Sequence, residues 1–237
     1  CLFNYLPTWI NFKITLKISL LEDSYLWKVL MIKNDTMNEK KIENHYDGRE
    51  ILCFVNRPND FLEIFKVIVE KYPKRAVLCF EKRTITYKQL DELSDSFAAG
   101  LLKSGLKEKN ILVINVANSI EFVVALFAAF KIGLIAMPVG HRHKKDELSS
   151  LYQDAGVHAV IFDKETEQEQ PFGDYGNSIL FIATSATEKE QSLGFNELLQ
   201  QGANKKIKSR RIDEEEPAIL LYTSGTTGRP KGAILTH

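Results

Sequence analysis

Cysteine is scarce in this 237-residue sequence, and what there is does not pair. Cys1, Cys53 and Cys79 are odd in number and form no CxxC. A disulfide framework is thereby excluded, and free thiols in a reducing, cytoplasmic compartment are expected. Net charge is also missing: 31 basic residues cancel 31 acidic ones, which argues against a chain-wide surface for nucleic acid or anionic membrane. Long apolar runs are missing too. The greasiest window, FVVALFAAF (Phe122–Phe130), is bracketed by Glu121 and Lys131. It is far shorter than the roughly 20 residues needed to cross a bilayer, and reads as a buried helix. The apolar N-terminus is interrupted by Lys13 and Lys17 and lacks a cleavage site, so it is not an export signal. There is no internal repeat and no low-complexity tract.

What is present is an alternation of helical and strand patterns from about residue 59 onward. Phe61, Ile64, Phe65, Ile68 and Val69 recur at helical spacing, with Asp60 and Glu63 as a capping box and Pro73 as the stop. AVLCF (Ala76–Phe80) reads as a strand. A helix is expected over 86–105, capped by Thr86 and Gln89 and ended by Gly105. ILVINV (Ile111–Val116) is a continuous apolar run, as expected of a strand covered on both faces. Asn118 is expected to start the next helix and Gly133 to end it. LIAMPV, HAVIF, SILFIAT and AILLY read as further strands, with helices over 145–156 and 195–202. The alternation argues for an α/β domain with a largely parallel sheet and flanking helices. Residues 164–178 read as a polar loop. KKIKSRRIDEEEP (Lys205–Pro217) carries adjacent basic and acidic halves whose fields cancel, so a solvated linker is expected.

The chemistry lies in YTSGTTGRPKGAILTH (Tyr222–His237). A strand feeding a glycine-rich turn presents backbone N–H groups to phosphate. Gly225, Gly228 and Gly232 are suited to positive φ and lack a Cβ that would block close approach. Thr223, Ser224, Thr226 and Thr227 add hydroxyl donors, and Lys231 adds a mobile cation. The Walker pattern GxxxxGK[ST] is not met, because Lys231 lies between Pro230 and Gly232. A flap over phosphates is expected, not a loop wound into a helix N-terminus. A plain Gly/Thr linker would not combine the strand, the hydroxyl run, the glycine spacing and the lysine. Gly140-His141-Arg142-His143 offers a His-x-His pair, but with no third ligand in view it reads as a solvated basic turn.

YTSGTTGRPKG resembles the phosphate-binding signature of the adenylate-forming (AMP-binding) superfamily, which includes acyl-CoA synthetases, beetle luciferases and peptide-synthetase adenylation domains. TYKQLDELSDSFAAGL and FKIGLIAMPV resemble two further family segments in the expected order, so the resemblance covers roughly residues 50 to 237. It implies the N-terminal part of the family's large domain over 45–237, after an extension over 1–44. It implies that Thr223, Ser224, Gly225, Thr226, Thr227, Gly228 and Lys231 line the β- and γ-phosphates of ATP, with Thr223 near magnesium. It implies activation of a carboxylic acid as its adenylate and transfer to a thiol. Within the family, TSGTTG with GAILTH looks more like a fatty-acyl-CoA synthetase, an acid–thiol ligase using ATP, Mg2+ and coenzyme A. An amino- or aryl-acid adenylation domain feeding a carrier protein, and an inactive nucleotide-binding fragment, are the alternatives. No catalytic residue is assigned; the resemblance places the catalytic lysine beyond residue 237. Met31 and Met37 are both plausible starts. The chain is expected to be a fragment that makes no adenylate alone, with apolar surface and sheet edge exposed near the loop. His237 is expected to be structural.

Overall fold

The computed structural model describes residues 39–237 except 47, 56, 59, 176–177, 190, 209, 211 and 224–229. The readings of Cys1, Met31, Met37 and the N-terminal extension lie outside these residues, as do those of Ser224, Gly225, Thr226, Thr227 and Gly228.

Two short hairpins open the chain. Lys40–His45 (β1) pairs antiparallel with Arg49–Phe54 (β2), turning through Gly48 at φ 94°. Helix α1, Phe61–Lys71, follows, with the Asp60 carboxylate accepting from Glu63 N. Ala76–Phe80 (β3) then pairs with Arg83–Thr86 (β4), which runs directly into helix α2, Tyr87–Lys103. The junction is the expected capping box: Gln89 N donates to the Thr86 hydroxyl and Thr86 N to the Gln89 side chain. Both orphan donors at this helix start are thus satisfied locally, so the helix begins where the sequence says it does.

The main sheet has seven strands. Ile111–Asn115 (β5) leads through helix α3, Ile120–Lys131, to Ile135–Pro138 (β6). Helix α4, Lys145–Ala155, returns the chain to Ala159–Phe162 (β7), followed by Leu180–Ala183 (β8) and Ser192–Gly194 (β9). Helix α5, Phe195–Gln201, precedes the last two strands, Pro217–Thr223 (β10) and Lys231–Thr236 (β11). The spatial order is β11-β10-β6-β5-β7-β8-β9, parallel throughout except for β11, which runs antiparallel to β10. The expected α/β class with a largely parallel sheet is what the chain forms.

Period-two alternation divides each central strand between two cores. Leu112, Ile114, Ala159, Ile161 and Ile182 face one side with α1, α2, α3 and α5. Val113, Val160, Phe162 and Phe181 face the other side with Leu148, Leu151 and Tyr152 of α4. Both faces being dry, Ile111 to Ile114 of β5 are all apolar and read as an unbroken run, and Asn115 ends the strand. Helices α2 and α5 touch backbone to backbone: a Cβ on Gly202 would lie 1.9 Å from Ser96 O, and one on Gly100 would lie 2.4 Å from Leu198 O.

Three expectations are corrected. Helix α3 is capped by Ser119, whose hydroxyl accepts from Phe122 N, so it starts one residue after Asn118. Residues 205–217 are not simply solvated. Ile212 is buried, and Arg210 reaches Glu216 at 2.5 Å while lying across Gly133. Segment 164–178 is not simply a surface loop, because Thr166 and Gln170 are buried within it. Among the described residues no helix is long and apolar enough to cross a membrane.

Candidate functional site

Strand β10 carries the glycine- and hydroxyl-rich segment to the carboxyl end of the parallel sheet, the edge where open α/β sheets bind ligands. One side of it pairs with β6 through Ile219 and Ala136; the other side pairs with β11. The cross-strand partners run from Pro217 opposite Thr236 at the base to Thr223 opposite Lys231 at the tip. Strands β10 and β11 therefore form an antiparallel pair, and the chain re-enters the described residues in a strand, not a helix.

At the tip, Thr223 and Lys231 are brought together as the sequence reading requires. The Thr223 hydroxyl faces Lys231 O at 3.4 Å, too long to satisfy it fully. Lys231 is exposed and enters no ion pair among the described residues. A cation without a counter-ion beside an under-used hydroxyl is suited to an incoming phosphate oxygen. The Thr223 hydroxyl is one neutral oxygen, exposed at the end of β10. It fits as a single ligand to a magnesium ion carried in on a nucleotide, since Mg2+ keeps waters and substrate phosphates as its other ligands.

Gly232 has a different job from the one expected. Its φ is not positive. A Cβ there would instead lie 3.0 Å from Leu220 Cδ1 and 3.5 Å from the Tyr222 ring across the strand pair. Glycine thus spares Leu220 a tight contact and sits in register with Tyr222, whose hydroxyl donates to Asp154 of α4. Burial, reinforced by the Asp154 carboxylate, pushes the Tyr222 phenol up to about 12, so it remains a donor at neutral pH. This strut holds the hairpin tip against the helix layer.

The floor of the same edge is a buried polar network that sequence reasoning missed. Asn115, at the end of β5, donates to Val139 O and Gly140 O, each at 3.1 Å. It accepts from Gln170 at 2.7 Å, and its carbonyl accepts from Thr166 at 2.8 Å. Tyr152 donates to Gln170 at 2.9 Å. One asparagine therefore braces the loops after β5, β6 and β7. The only signal was a polar residue ending an apolar strand. The His141–His143 turn lies in the loop after β6; His143 Nδ1 lies 2.9 Å from Gly140 O, and neither histidine joins a metal-type group among the described residues.

The base of the hairpin is strapped by the first hairpin of the chain. Tyr46 N donates to Glu215, and Tyr46 Oη lies 2.8 Å from Thr236 Oγ1. Arg57 spans Glu43 and Glu214, each at 2.6 Å, and holds the Glu43 carboxyl well below the usual carboxylate range. His237 closes the base: its N–H donates to Glu216 O at 3.2 Å, and its ring packs edge-on to Phe130. Burial pushes the His237 imidazole below its ordinary value. These contacts agree with a structural histidine.

Known proteins place this hairpin and its sheet in context. Tyrocidine synthase 1 of Brevibacillus parabrevis is 29% identical over 200 residues, covering 84% of this chain and 17% of that protein. A long-chain-fatty-acid–CoA ligase of Haemophilus influenzae is 24% identical over 222 residues, covering 82% of this chain and 40% of that one. Among solved structures, the N-terminal subdomain of Klebsiella oxytoca NpsA in complex with 3-hydroxyanthranilyl-AMSN superposes with a TM-score of 0.63 at 25% identity. That superposition covers 78% of this chain and 43% of NpsA's. The chain thus spans less than half the length of each of these relatives. Residues 65–237, from within α1 to the end of the hairpin, match the AMP-binding enzyme family, and the chain belongs to it.

Proposed function

We infer that the protein carrying this chain is an adenylate-forming ligase, and that it activates an amino or aryl acid for transfer to the thiol of a carrier protein. The observation that carries the first part is the hairpin tip, where the free cation of Lys231 and the under-used hydroxyl of Thr223 flank the TSGTTG segment. The second part is supported by the relatives. Tyrocidine synthase 1 and surfactin synthase subunit 3 are among them, and NpsA was solved in complex with 3-hydroxyanthranilyl-AMSN and as an artificially fused adenylation–PCP di-domain NRPS. This reading takes precedence over the fatty-acyl-CoA ligase that the TSGTTG and GAILTH usage suggested. Coenzyme A as acceptor remains the second reading, on the strength of the Haemophilus ligase.

In the first step a carboxylate oxygen attacks the α-phosphorus of ATP, the bond to the β-phosphate bridging oxygen breaks, and pyrophosphate leaves. In the second step a thiolate attacks the acyl carbon and AMP leaves. The obstacle to the first step is an anion approaching a polyanion. In this proposal Ser224, Gly225, Thr226, Thr227 and Gly228 donate hydrogen bonds to the β- and γ-phosphates, and Lys231 balances their charge. Thr223 contributes one ligand to the magnesium that accompanies the nucleotide and neutralises part of the phosphate charge. The Tyr222–Asp154 strut and the Asn115 network position the loop without touching the reacting atoms.

The test is ATP–pyrophosphate exchange with the gene's encoded product over panels of amino, aryl and fatty acids. Exchange with an amino or aryl acid, followed by loading of a carrier-protein thiol, is the expected outcome. Exchange with fatty acids alone, followed by release of acyl-CoA, would establish the second reading. The 237-residue chain by itself is expected to be silent in the same assay.

A further inference from the structure

At the base of the hairpin, on the inner face of the β1–β2 strap, Glu43, His45 and Cys53 converge. Strand pairing places Glu43 opposite Ile51 and Cys53 opposite Lys41, so all three lie on one face of the strap. Glu43 Oε2 is 3.0 Å from His45 Nε2, Cys53 Sγ is 3.7 Å from the same nitrogen, and the three ligand atoms lie within 4.8 Å of one another. His45 is buried and Glu43 and Cys53 are half-buried.

We propose that Glu43, His45 and Cys53 form a zinc-binding site that locks the β1–β2 strap to the base of the β10–β11 hairpin. A tetrahedral Zn2+ with bonds of about 2.0 Å to N and O and about 2.3 Å to S separates its ligand atoms by about 3.3–3.5 Å. The Glu43–His45 and Cys53–His45 spacings bracket those values and the third pair lies within 4.8 Å, so binding draws the ligands together and displaces Arg57 Nη2 from Glu43 Oε2. A thiolate, an imidazole and a carboxylate together suit zinc better than a hard oxygen-seeking cation.

Two further features point to a cation at this spot. His45 Nδ1 lies 3.0 Å from Glu215 Oε1, a carboxylate that would keep the proton on Nδ1 once Nε2 gives up its own to a metal. This is the carboxylate–histidine arrangement that orients metal-binding imidazoles. In addition, a positive group already occupies the position: Arg57 Nη2 lies 2.6 Å from Glu43 Oε2, 2.6 Å from Glu214 Oε2 and 3.4 Å from His45 Nε2. Arg57 has other bonds to keep, through Nε to Glu214 at 3.1 Å and through Nη1 to Phe54 O at 3.2 Å. On binding, Cys53 gives its thiol proton to solvent, Glu43 exchanges the Arg57 and Lys41 donors for the metal, and water completes the tetrahedron. Cys53 therefore serves as a ligand, where the sequence offered only a free thiol. The site lies about 20 Å from the hairpin tip, six strand residues away, and is separate from the phosphate chemistry.

The purified full chain is titrated with Zn2+ against a competing chromophoric chelator, and separately with Co2+, whose thiolate charge-transfer band reports sulfur ligation. One Zn2+ per chain and a thiolate–cobalt band are expected. Cys53→Ser and His45→Ala each weaken zinc by at least about ten-fold, and Cys53→Ser removes the band. Glu215→Gln, which changes no ligand and keeps an acceptor for Tyr46 N, weakens zinc by about ten-fold while preserving the band. Cys1→Ser and Cys79→Ser change neither. The proposal is overturned if the unmodified chain binds no stoichiometric zinc, if the cobalt band survives Cys53→Ser, or if Glu215→Gln binds zinc as tightly as the unmodified chain.

Discussion

The centre of the sheet and the β10–β11 hairpin are built to opposite specifications. Strand β5 is covered on both faces and paired on both edges, by four registered residue pairs with β6 and four with β7. Strand β10 meets β6 through one registered pair, and β11 beyond it leaves Ile234 61% and Leu235 40% exposed. The centre takes its order from packing. The hairpin takes its order from discrete polar ties: Tyr222–Asp154 at the tip, and Tyr46–Thr236, Arg57–Glu214 and Arg210–Glu216 at the base. The strands of the hairpin are thus held at chosen points, with Lys231 and Ile234 exposed between them.

Substitutions can sharpen that contrast. The largest loss of stability is expected at the centre: Leu112→Ala removes a fully buried side chain and should cost about 2–5 kcal/mol by chemical denaturation. Lys231→Ala should leave stability unchanged but lower kcat/KM for ATP in pyrophosphate exchange by roughly 10- to 100-fold, the loss of one charge-assisted contact of about 1.5–3 kcal/mol. A proportional fall in thermal stability with Lys231→Ala would mean that the tip is packed and not poised. Glu216→Gln should cost about 1 kcal/mol at neutral pH. The Arg210 guanidinium lowers the folded pKa of Glu216, so the pair's contribution is complete above the ordinary value of 4.5 and is lost as pH falls through the folded pKa. The stabilities of Glu216→Gln and the unmodified chain should therefore converge in acid, and a gap that persists there would assign the effect to packing. Smallest of all, Ile234→Ala should change stability by no more than about 0.5 kcal/mol. A loss like that of Leu112→Ala would show that β11 is covered in solution.

The centre was largely legible in the sequence and the hairpin's supports were not, for one physical reason. Strand β5, the Thr86–Gln89 capping box and the Gly156 helix stop are specified by residues within a few positions of one another. The strap is specified by partners such as Tyr46 and Glu215, 169 positions apart. No periodicity encodes such a pair. Asn118 and Ser119 are both good capping residues, and a shift of one position decides between them only once Val116 and Ile120 are buried. Strand β11 is GAILT behind a lysine, a short apolar run that suits a strand or a buried helix equally until β10 lies beside it. Gln170 and Thr166 looked like loop residues because polarity alone does not reveal that Asn115 waits beneath them. The glycine- and hydroxyl-rich segment stood out in the sequence because its residues are contiguous: six consecutive residues, Thr223 to Gly228, and a lysine three positions on.

The order of strands in the sheet also sets an order in time. Strand β5 is synthesised first and ends in the middle; β6, β7 and β8 add to either side of it as they emerge. Strand β10 must then cross back over the growing sheet to reach β6, about 80 residues behind it, and the contact of Gly202 with Ser96 spans more than a hundred. Such long loops close slowly. The strap, made earliest of all, has nothing to hold until Glu214 and Glu215 arrive. Assembly of the β10–β11 hairpin is therefore the last act of folding for this part of the chain, and a nascent polypeptide builds the centre of its sheet before that hairpin is in place.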